Sequence, residues 1–523
     1  MPSPEATHDP AFERRCLLLA LALIILAAWR SLGFYHYDEH FQLLEYAANV
    51  KRGITPTTDV PWEYQNRIRP WFQPAIALAT LNLFERLGDR NPFDAAAFLR
   101  LLSGLLSWIA LVRLVRCSRA WFHSQEIRRI AVASACFLWF MPFLAVRFSS
   151  EGWAGALFVL GFTSLLELAQ GSRIAPFELV LSGFLMGWGF AARYQVGIMI
   201  GAALAWLVWT ARPRRADLLA LGTGLTLSLA GGLIVDRWGY GTWVFTPWRY
   251  LDFQVLQGVA ARRFGVAPWW TYVSKVFLIA GPPIGLLLLV GGVSAWIRRP
   301  RSALTWVTLP FFLAHTLLGH KELRFLFPIA LLTPFLAAQG IEALPPGVLK
   351  ALSSRAARPF WALLVGLDLA ACLLRTVIPA RHEVAIEQAI YDNDVRQLYI
   401  VEGRDPYIVG DLRITFYRDP RLQLTDLGTP NRTLLGLALR TPATLAWPAA
   451  AGFDPAELRC QVLYRSLPAW TRQGWSGRAL RWANPNPWTL ARCVVDAAPS
   501  LTLSASSAAA LRRGGVPAPD GGR

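Results

Sequence analysis

The chain has 523 residues, 54% of them hydrophobic and only 16% charged, whereas a soluble globular domain is about a quarter charged. That deficit excludes an ordinary water-soluble protein and points to a chain that crosses a bilayer several times. The net charge of +18 is scattered over short loops between apolar runs, the distribution expected of cytoplasmic loops in a membrane protein; membrane lipids, and no nucleic acid, are the expected surroundings. Lysine is scarce (Lys51, Lys275, Lys321 and Lys350 only) while arginine is abundant, a bias of GC-rich genomes that points to a bacterial source.

Residues 1–15 form a cytoplasmic N-terminus. The first apolar run, Cys16 to Leu32, follows Arg14 and Arg15, and LAAWRSLGF offers no A-x-A cleavage site, which predicts an uncleaved signal anchor. Further runs lie near 130–148, 152–170, 177–193, 196–211, 216–235, 273–297, 303–319, 325–341 and 358–378. Arginine clusters at 113–129, 212–215, 298–301 and 350–358 mark the cytoplasmic side. Residues 34–70, 147–151, 236–270, 320–324 and everything beyond about 380 then face outward. Residues 71–112 read as two helices where the charge pattern needs an odd number of crossings. Either one of the two is interfacial or broken, or the 113–129 loop breaks the charge rule. The expectation is ten to twelve transmembrane helices.

The predicted organisation is therefore a polytopic α-helical transmembrane domain over 16–379, with a first outer loop at 34–70. A small extracytoplasmic α/β or mainly β domain follows over 380–496, where RQLYIVEGRDPYIVGDLRITFYRDP alternates short β-prone runs with turn residues. The Ala-, Ser-, Gly- and Pro-rich tail 497–523 is expected to be disordered. Cys460 and Cys493 can pair if this domain lies in an oxidising compartment; Cys16, Cys117, Cys136 and Cys372 read as buried small hydrophobes. Asn431-Arg432-Thr433 is a glycosylation sequon that matters only in an endoplasmic reticulum. No internal repeat is evident, which weighs against a carrier built from duplicated halves.

The outward segments carry ionisable groups at membrane depth, which insertion scales penalise by about 3 kcal/mol each and which mark functional sites by default. The first loop, FYHYDEHFQLLEYAANVKRG, offers His36, Asp38, Glu39 and His40. PWEYQNRIRPWFQP adds Glu63, Arg67 and Arg69; RFSSE adds Arg147 and Glu151; FAARYQVG adds Arg193; and GHKELRFLFP adds His320, Lys321, Glu322 and Arg324. Each has a plainer reading. Arg67 and Arg69 can snorkel to phospholipid headgroups, and Arg193 can cap a helix or pair structurally with Glu151. A metal site at His36–His40 is disfavoured because the adjacent Asp38 and Glu39 diverge on any regular backbone. Carboxylates and guanidinium groups together suit glycosyl transfer from a lipid phosphate: a carboxylate takes the acceptor's proton, and cations hold the leaving phosphate.

These segments resemble family 22 glycosyltransferases, the GT-C-fold mannosyltransferases that use dolichol-phosphate-mannose in GPI-anchor and N-glycan assembly. YHYDEHFQLLEYAA resembles the first-loop HPDE-type motif and PWEYQNRIRPWFQP the Trp–Glu–Arg segment. RFSSE resembles the RTLSN-x-x-E stretch, YGTWVFTPWRYLDFQ the YGxW loop and HKELRFLFP the HKExRFLxP motif, in unbroken order from about residue 30 to 340. The YGTWVFTPW loop is most similar to the GPI third-mannose enzymes.

The resemblance implies an inverting transfer of a sugar, mannose, from a polyprenyl-phosphate donor to a hydroxyl of a glycan or glycolipid acceptor, with no cofactor or metal. It makes Asp38 the catalytic carboxylate with Glu39 beside it, and gives His320, Lys321, Glu322 and Arg324 to donor phosphate or site architecture. His36, His40, Glu63, Arg67, Arg69, Arg147, Glu151 and Arg193 are the remaining substrate-binding candidates. Departures from the pattern are Pro70 where serine is usual, Tyr37 where proline is usual, and Ser150 in place of the asparagine. The expected location is a bacterial inner membrane with the site facing the periplasm, or the endoplasmic reticulum membrane if the source is eukaryotic. The rival expectation is a transporter or flippase for a lipid-linked or anionic substrate.

Overall fold

The computed structural model describes residues 9–53, 61–401, 405–410, 412–428, 442–448, 459–466 and 487–494. The expected disordered tail 497–523 and the sequon at 431–433 lie outside them. The chain divides into two compact units, one of Met1–Arg381 with Ile414–Tyr417 and one of His382–Arg413 with Arg418–Arg523.

The first unit is helical. Among the described residues, four segments have the length and apolarity to cross a bilayer: Pro92–Ala120, Ser150–Ala169, Arg215–Tyr240 and Arg355–Asp392. A pair of helices, Leu323–Ile329 and Thr333–Glu342, bent by 74°, would make a fifth span. Pro176–Ala192, Val196–Ala211, Pro282–Arg298 and Ala303–Leu317 are apolar but of 15 to 17 residues, so they reach only about 22–26 Å at 1.5 Å per residue. Among the described residues fewer segments pass this length test than the ten to twelve helices expected, because the apolar runs outlast the helices inside them. The expected span at 273–297 is two helices, Thr271–Ile279 and Pro282–Arg298. They are separated at Gly281, whose φ of 92° a side chain resists, followed by two prolines. Over 71–112 the helices are Phe72–Arg86, of 15 residues, and Pro92–Cys117, of 26; only the second has spanning length.

Caps and small residues explain the local order. Asn91 accepts from the Phe93 N–H (3.0 Å) ahead of Pro92, and Ser149 accepts from the Gly152 N–H (3.1 Å) at the head of Ser150–Ala169, each satisfying an otherwise orphaned donor. Helices Pro176–Ala192 and Arg215–Tyr240 approach at Gly183 and Gly224. A Cβ on Gly224 would lie 2.0 Å from the Val180 carbonyl oxygen, and one on Gly183 2.1 Å from that of Leu221. Backbone contact through small residues is how helices associate where lipid replaces water as solvent. The outer face of Arg358–Val377 leaves Phe360, Leu363, Val365, Leu367 and Leu373 exposed, as a lipid-facing helix does.

The second unit is α/β. The helix His382–Asp392 precedes strands β1 (Gln397–Ile400), β2 (Ile408–Val409), β3 (Leu412–Arg413), β4 (Gln423–Asp426), β5 (Ala443–Pro448), β6 (Arg459–Arg465) and β7 (Trp488–Val494). A mixed sheet runs β4-β1-β5-β7-β6, with β1 parallel to β4 and β5 and the remaining pairs antiparallel; β2 and β3 form a separate hairpin. Ile386 and Ile390 of the helix pack on Leu398, Ala446, Trp488 and Leu490. Cys460 and Cys493, opposite each other on β6 and β7, are disulfide-bonded.

Candidate active site

The loop that follows the first helix is shaped by its own acids. His36, in an extended conformation, caps a short helical turn, Tyr37–Glu39. Glu39 folds back to accept from the backbone N–H groups of Tyr35 (3.1 Å) and His36 (3.4 Å), a reciprocal cap. The next six residues, His40–Glu45, form a π-helical turn, a rarity that often marks functional positions. With Glu39 spent on the cap, Asp38 is the acid of this loop that meets cations.

Asp38 Oδ2 lies 2.6 Å from Arg324 Nη1 and 3.5 Å from Arg69 Nη2, with the side chain still 23% exposed. Arg324 Nη1 also contacts Glu151 Oε1 (3.1 Å), and Arg324 Nε donates to Glu322 Oε2 (2.5 Å). Glu151 Oε1 in turn meets Arg193 Nη2 (3.3 Å). Glu322 is gripped from two more sides, by His36 Nε2 (3.0 Å) and His320 Nε2 (2.8 Å). Residues from five separate segments, widely spaced in sequence, thus converge on one network of three guanidinium groups and three carboxylates. Two of its buried N–H groups, Arg69 Nε and Arg193 Nη1, donate to nothing among the described residues.

The charges bias one another. Burial alone would raise the Asp38 carboxyl, but Arg324, Arg69 and His36 outweigh it and hold the acid below its ordinary value. Burial likewise opposes ionisation of Glu322, and His36 and Arg324 overcome it, holding this carboxyl far below the usual range. Glu63 is the opposite case: burial pushes it up despite Arg69, and it accepts a 2.7 Å hydrogen bond from Gln42. Glu39 is also raised by burial, only partly countered by Arg147.

Other predicted residues are placed elsewhere. His40 is wholly buried, its Nε2 2.9 Å from Glu45 and its ring stacked between Phe34 and Tyr417. Glu45 accepts from the backbone N–H groups of Thr415 and Phe416 at 3.0 Å each and from the Thr415 hydroxyl. Arg67 is exposed, at a left-handed turn with φ 52°. Arg147 is buried and donates to the carbonyls of Ser31 (2.8 Å) and Gly33 (2.9 Å), bracing the start of the loop. Lys321 donates to the backbone carbonyls of Ala267 (2.9 Å) and Leu318, and burial lowers its pKa. It therefore ties two loops together rather than joining the guanidinium network.

A second layer holds Arg69 in place and was missed in the sequence. The Tyr240 hydroxyl donates to the Arg69 carbonyl (2.5 Å). Asp236 accepts from the Trp71 N–H (2.7 Å) and the Thr246 hydroxyl (2.5 Å), and Thr246 accepts from Tyr194. An acid near the end of an apolar run, ten residues before a threonine, was the available signal. Next to Pro70, which follows Arg69, lies a narrow, mostly apolar cleft lined by Pro70, Phe72, Phe190, Tyr194, Leu229 and Leu233 among others. Among the described residues, no group of three His, Cys, Asp or Glu is arranged to hold a metal ion.

A model of the Alg9-like mannosyltransferase family matches residues 16–397 of the 523. The chain belongs to that family. It is 28% identical over 318 residues to human GPI alpha-1,2-mannosyltransferase 3, covering 60% of this chain and 55% of that protein. Against mannosyltransferase APTG1 of Arabidopsis thaliana it is 24% identical over 324 residues, covering 60% and 56%. The chain spans about half the length of the curated relatives it matches. In structure it is similar to ArnT from Cupriavidus metallidurans, solved bound to undecaprenyl phosphate, with a TM-score of 0.50 at 13% identity over 94% of this chain and 100% of that one. The fold of this Alg9-like chain is thus the GT-C fold, and the chain is a polytopic membrane protein.

Proposed function

We propose that this Alg9-like protein is a glycosyltransferase that moves a sugar, mannose, from a polyprenyl-phosphate donor to a hydroxyl of a glycan or glycolipid acceptor. The reaction takes place at the extracytoplasmic face of its membrane, the periplasmic face in a bacterium, with residues 380–496 as an extracytoplasmic domain. The observation that carries this reading is a partly exposed carboxylate, Asp38, sharing two guanidinium groups that a phosphate also fits. Family membership and the relatives' names support mannose.

Asp38 accepts the proton of the acceptor hydroxyl as that oxygen forms its bond to the anomeric carbon. The bond from the anomeric carbon to the phosphate oxygen breaks on the opposite side. Its electron pair leaves with the polyprenyl phosphate, whose growing charge Arg324 and Arg69 stabilise in a site largely closed to water. One displacement inverts the anomeric configuration. The apolar cleft next to Pro70 takes the start of the isoprenoid tail, and Glu322 with His36 and His320 keeps Arg324 oriented.

Purified protein incubated with a panel of polyprenyl-phosphate sugars and glycan acceptors, with products read by mass spectrometry and NMR, tests the reading. The expected product carries one added hexose of inverted configuration, formed from the mannosyl donor. A carrier or flippase would use the same cations without needing a base. Movement of intact donor across proteoliposomes, with no product from any donor, would therefore replace the transferase reading by that one.

A further inference from the structure

Resting on the transferase reading, we infer that the point now held by Asp38 Oδ2, between Arg324 and Arg69, is the subsite of the donor's phosphate, and that phosphate entry displaces the Asp38 carboxylate and frees it as the base. In the network Arg69, Arg193 and Arg324 are matched one for one by Asp38, Glu151 and Glu322. Glu63 adds a further carboxyl beside Arg69, so a phosphodiester enters a site with no guanidinium charge to spare, and like charges at close quarters in a poorly hydrated site repel strongly. One carboxylate has to give up its guanidinium contacts.

Geometry selects which. Glu151 is buried and clamped between Arg193 and Arg324 through a single oxygen. Glu322 is held by Arg324, His36 and His320 together. Asp38 faces Arg324 and Arg69 with one oxygen, Oδ2. Its other oxygen lies 3.7 Å from His36 Nδ1, and the side chain keeps contact with solvent. It also sits on a three-residue helical turn followed directly by the π-helical turn, so a small backbone adjustment there does not have to move a long helix. Arg69 Nε, on one of the two guanidinium groups that face Asp38, is buried without a partner among the described residues, a further donor from which a tetrahedral phosphate, with more oxygens than a carboxylate, can accept. Asp38 in its ion pair is a poor base, since Arg324 and Arg69 stabilise its charge; once phosphate takes those partners the carboxylate regains basicity. Donor binding thus switches on the base, and an acceptor arriving alone meets a masked one.

The test measures binding of decaprenyl phosphate, which carries no sugar, to the full chain in zwitterionic nanodiscs, for wild type, Asp38→Asn and Glu322→Gln. The amide keeps the shape of Asp38 and removes its competing charge, so D38N is expected to bind about tenfold tighter than wild type or better, while transferring sugar far more slowly. E322Q removes a charge from the same network without vacating the subsite, and is expected to gain little. If D38N is not monodisperse, Asp38→Ala takes its place with the same expectation. Equal or weaker binding by D38N, or equal gains in D38N and E322Q, overturns the displacement while leaving the transferase reading standing as long as wild type makes product. No binding by any variant together with no product from any donor overturns both.

Discussion

Arg324 is the residue on which the whole site closes, and Arg324→Met is the sharpest perturbation of it. One guanidinium contacts Asp38 at 2.6 Å, Glu151 at 3.1 Å and Glu322 at 2.5 Å. At a charge separation of about 4 Å and an effective dielectric near 20, each such pair attracts by roughly 4 kcal/mol. Desolvation offsets most of that, and removing one member of a buried pair costs about 3–5 kcal/mol net because the partner's charge is stranded. Asp38 and Glu322 remain 23% and 24% exposed, so water relieves part of their loss; Glu151, 3% exposed, gets no such relief. The expected cost is therefore near the lower end, about 3 kcal/mol, measured by SDS-driven unfolding in mixed micelles followed by tryptophan fluorescence. Glu151 keeps Arg193 at 3.3 Å in R324M, so adding Glu151→Gln should not restore the loss, because it removes the carboxylate partner of the buried Arg193 in turn. Arg324→Lys, which keeps the charge but loses the fork, should fold better than R324M and still transfer poorly. R324M within about 0.5 kcal/mol of wild type, the range of ordinary surface changes, would refute the argument.

Asp38→Asn should lower the rate of sugar transfer by about 10²–10⁴, the usual worth of a general base, with an unchanged gel-filtration profile; transfer near the wild-type rate would remove Asp38 from that role. Lys321→Met should raise donor and acceptor KM alike, because the ammonium is bound to the Ala267 and Leu318 carbonyls; a rise confined to the donor would place it on the phosphate. The Glu322 carboxyl is held below its ordinary value in the fold by His36 and Arg324. Its stabilisation is thus fully present above the unfolded value of 4.5 and fades as pH falls through the folded one. The stability gap between wild type and Glu322→Gln should narrow progressively as the pH falls below the unfolded value, and a gap that widens would contradict the ion pairs. Gly224→Ala sets a Cβ 2.0 Å from the Val180 carbonyl oxygen and should cost about 1–3 kcal/mol, the scale of overpacking, read in the same micelle unfolding; no loss would mean the two helices are not in backbone contact.

Composition and charge placement alone determined that this is a polytopic membrane protein, because hydrophobic span and arginine position are one-dimensional properties that a bilayer reads directly. The short motifs around Asp38, Arg69, Glu151 and Arg324 marked which ionisable groups mattered, since a charge at membrane depth is too costly to keep without a use. Only the tertiary structure decided what each group does. His40 and His36 are four residues apart in one loop, yet one is stacked in the core with Glu45 and the other grips Glu322. Glu39 and Asp38 are neighbours, and the cap that consumes the first turns the second toward the cations. Lys321 and Arg324 share one motif, but the ammonium reaches backbone carbonyls and the guanidinium three carboxylates. Helix lengths also escaped the sequence, where an apolar run does not announce that Gly281 and the prolines after it divide the span. Local chemistry fixes which groups are charged; pairing among them depends on distances between segments hundreds of residues apart, and those exist only once the helices have packed.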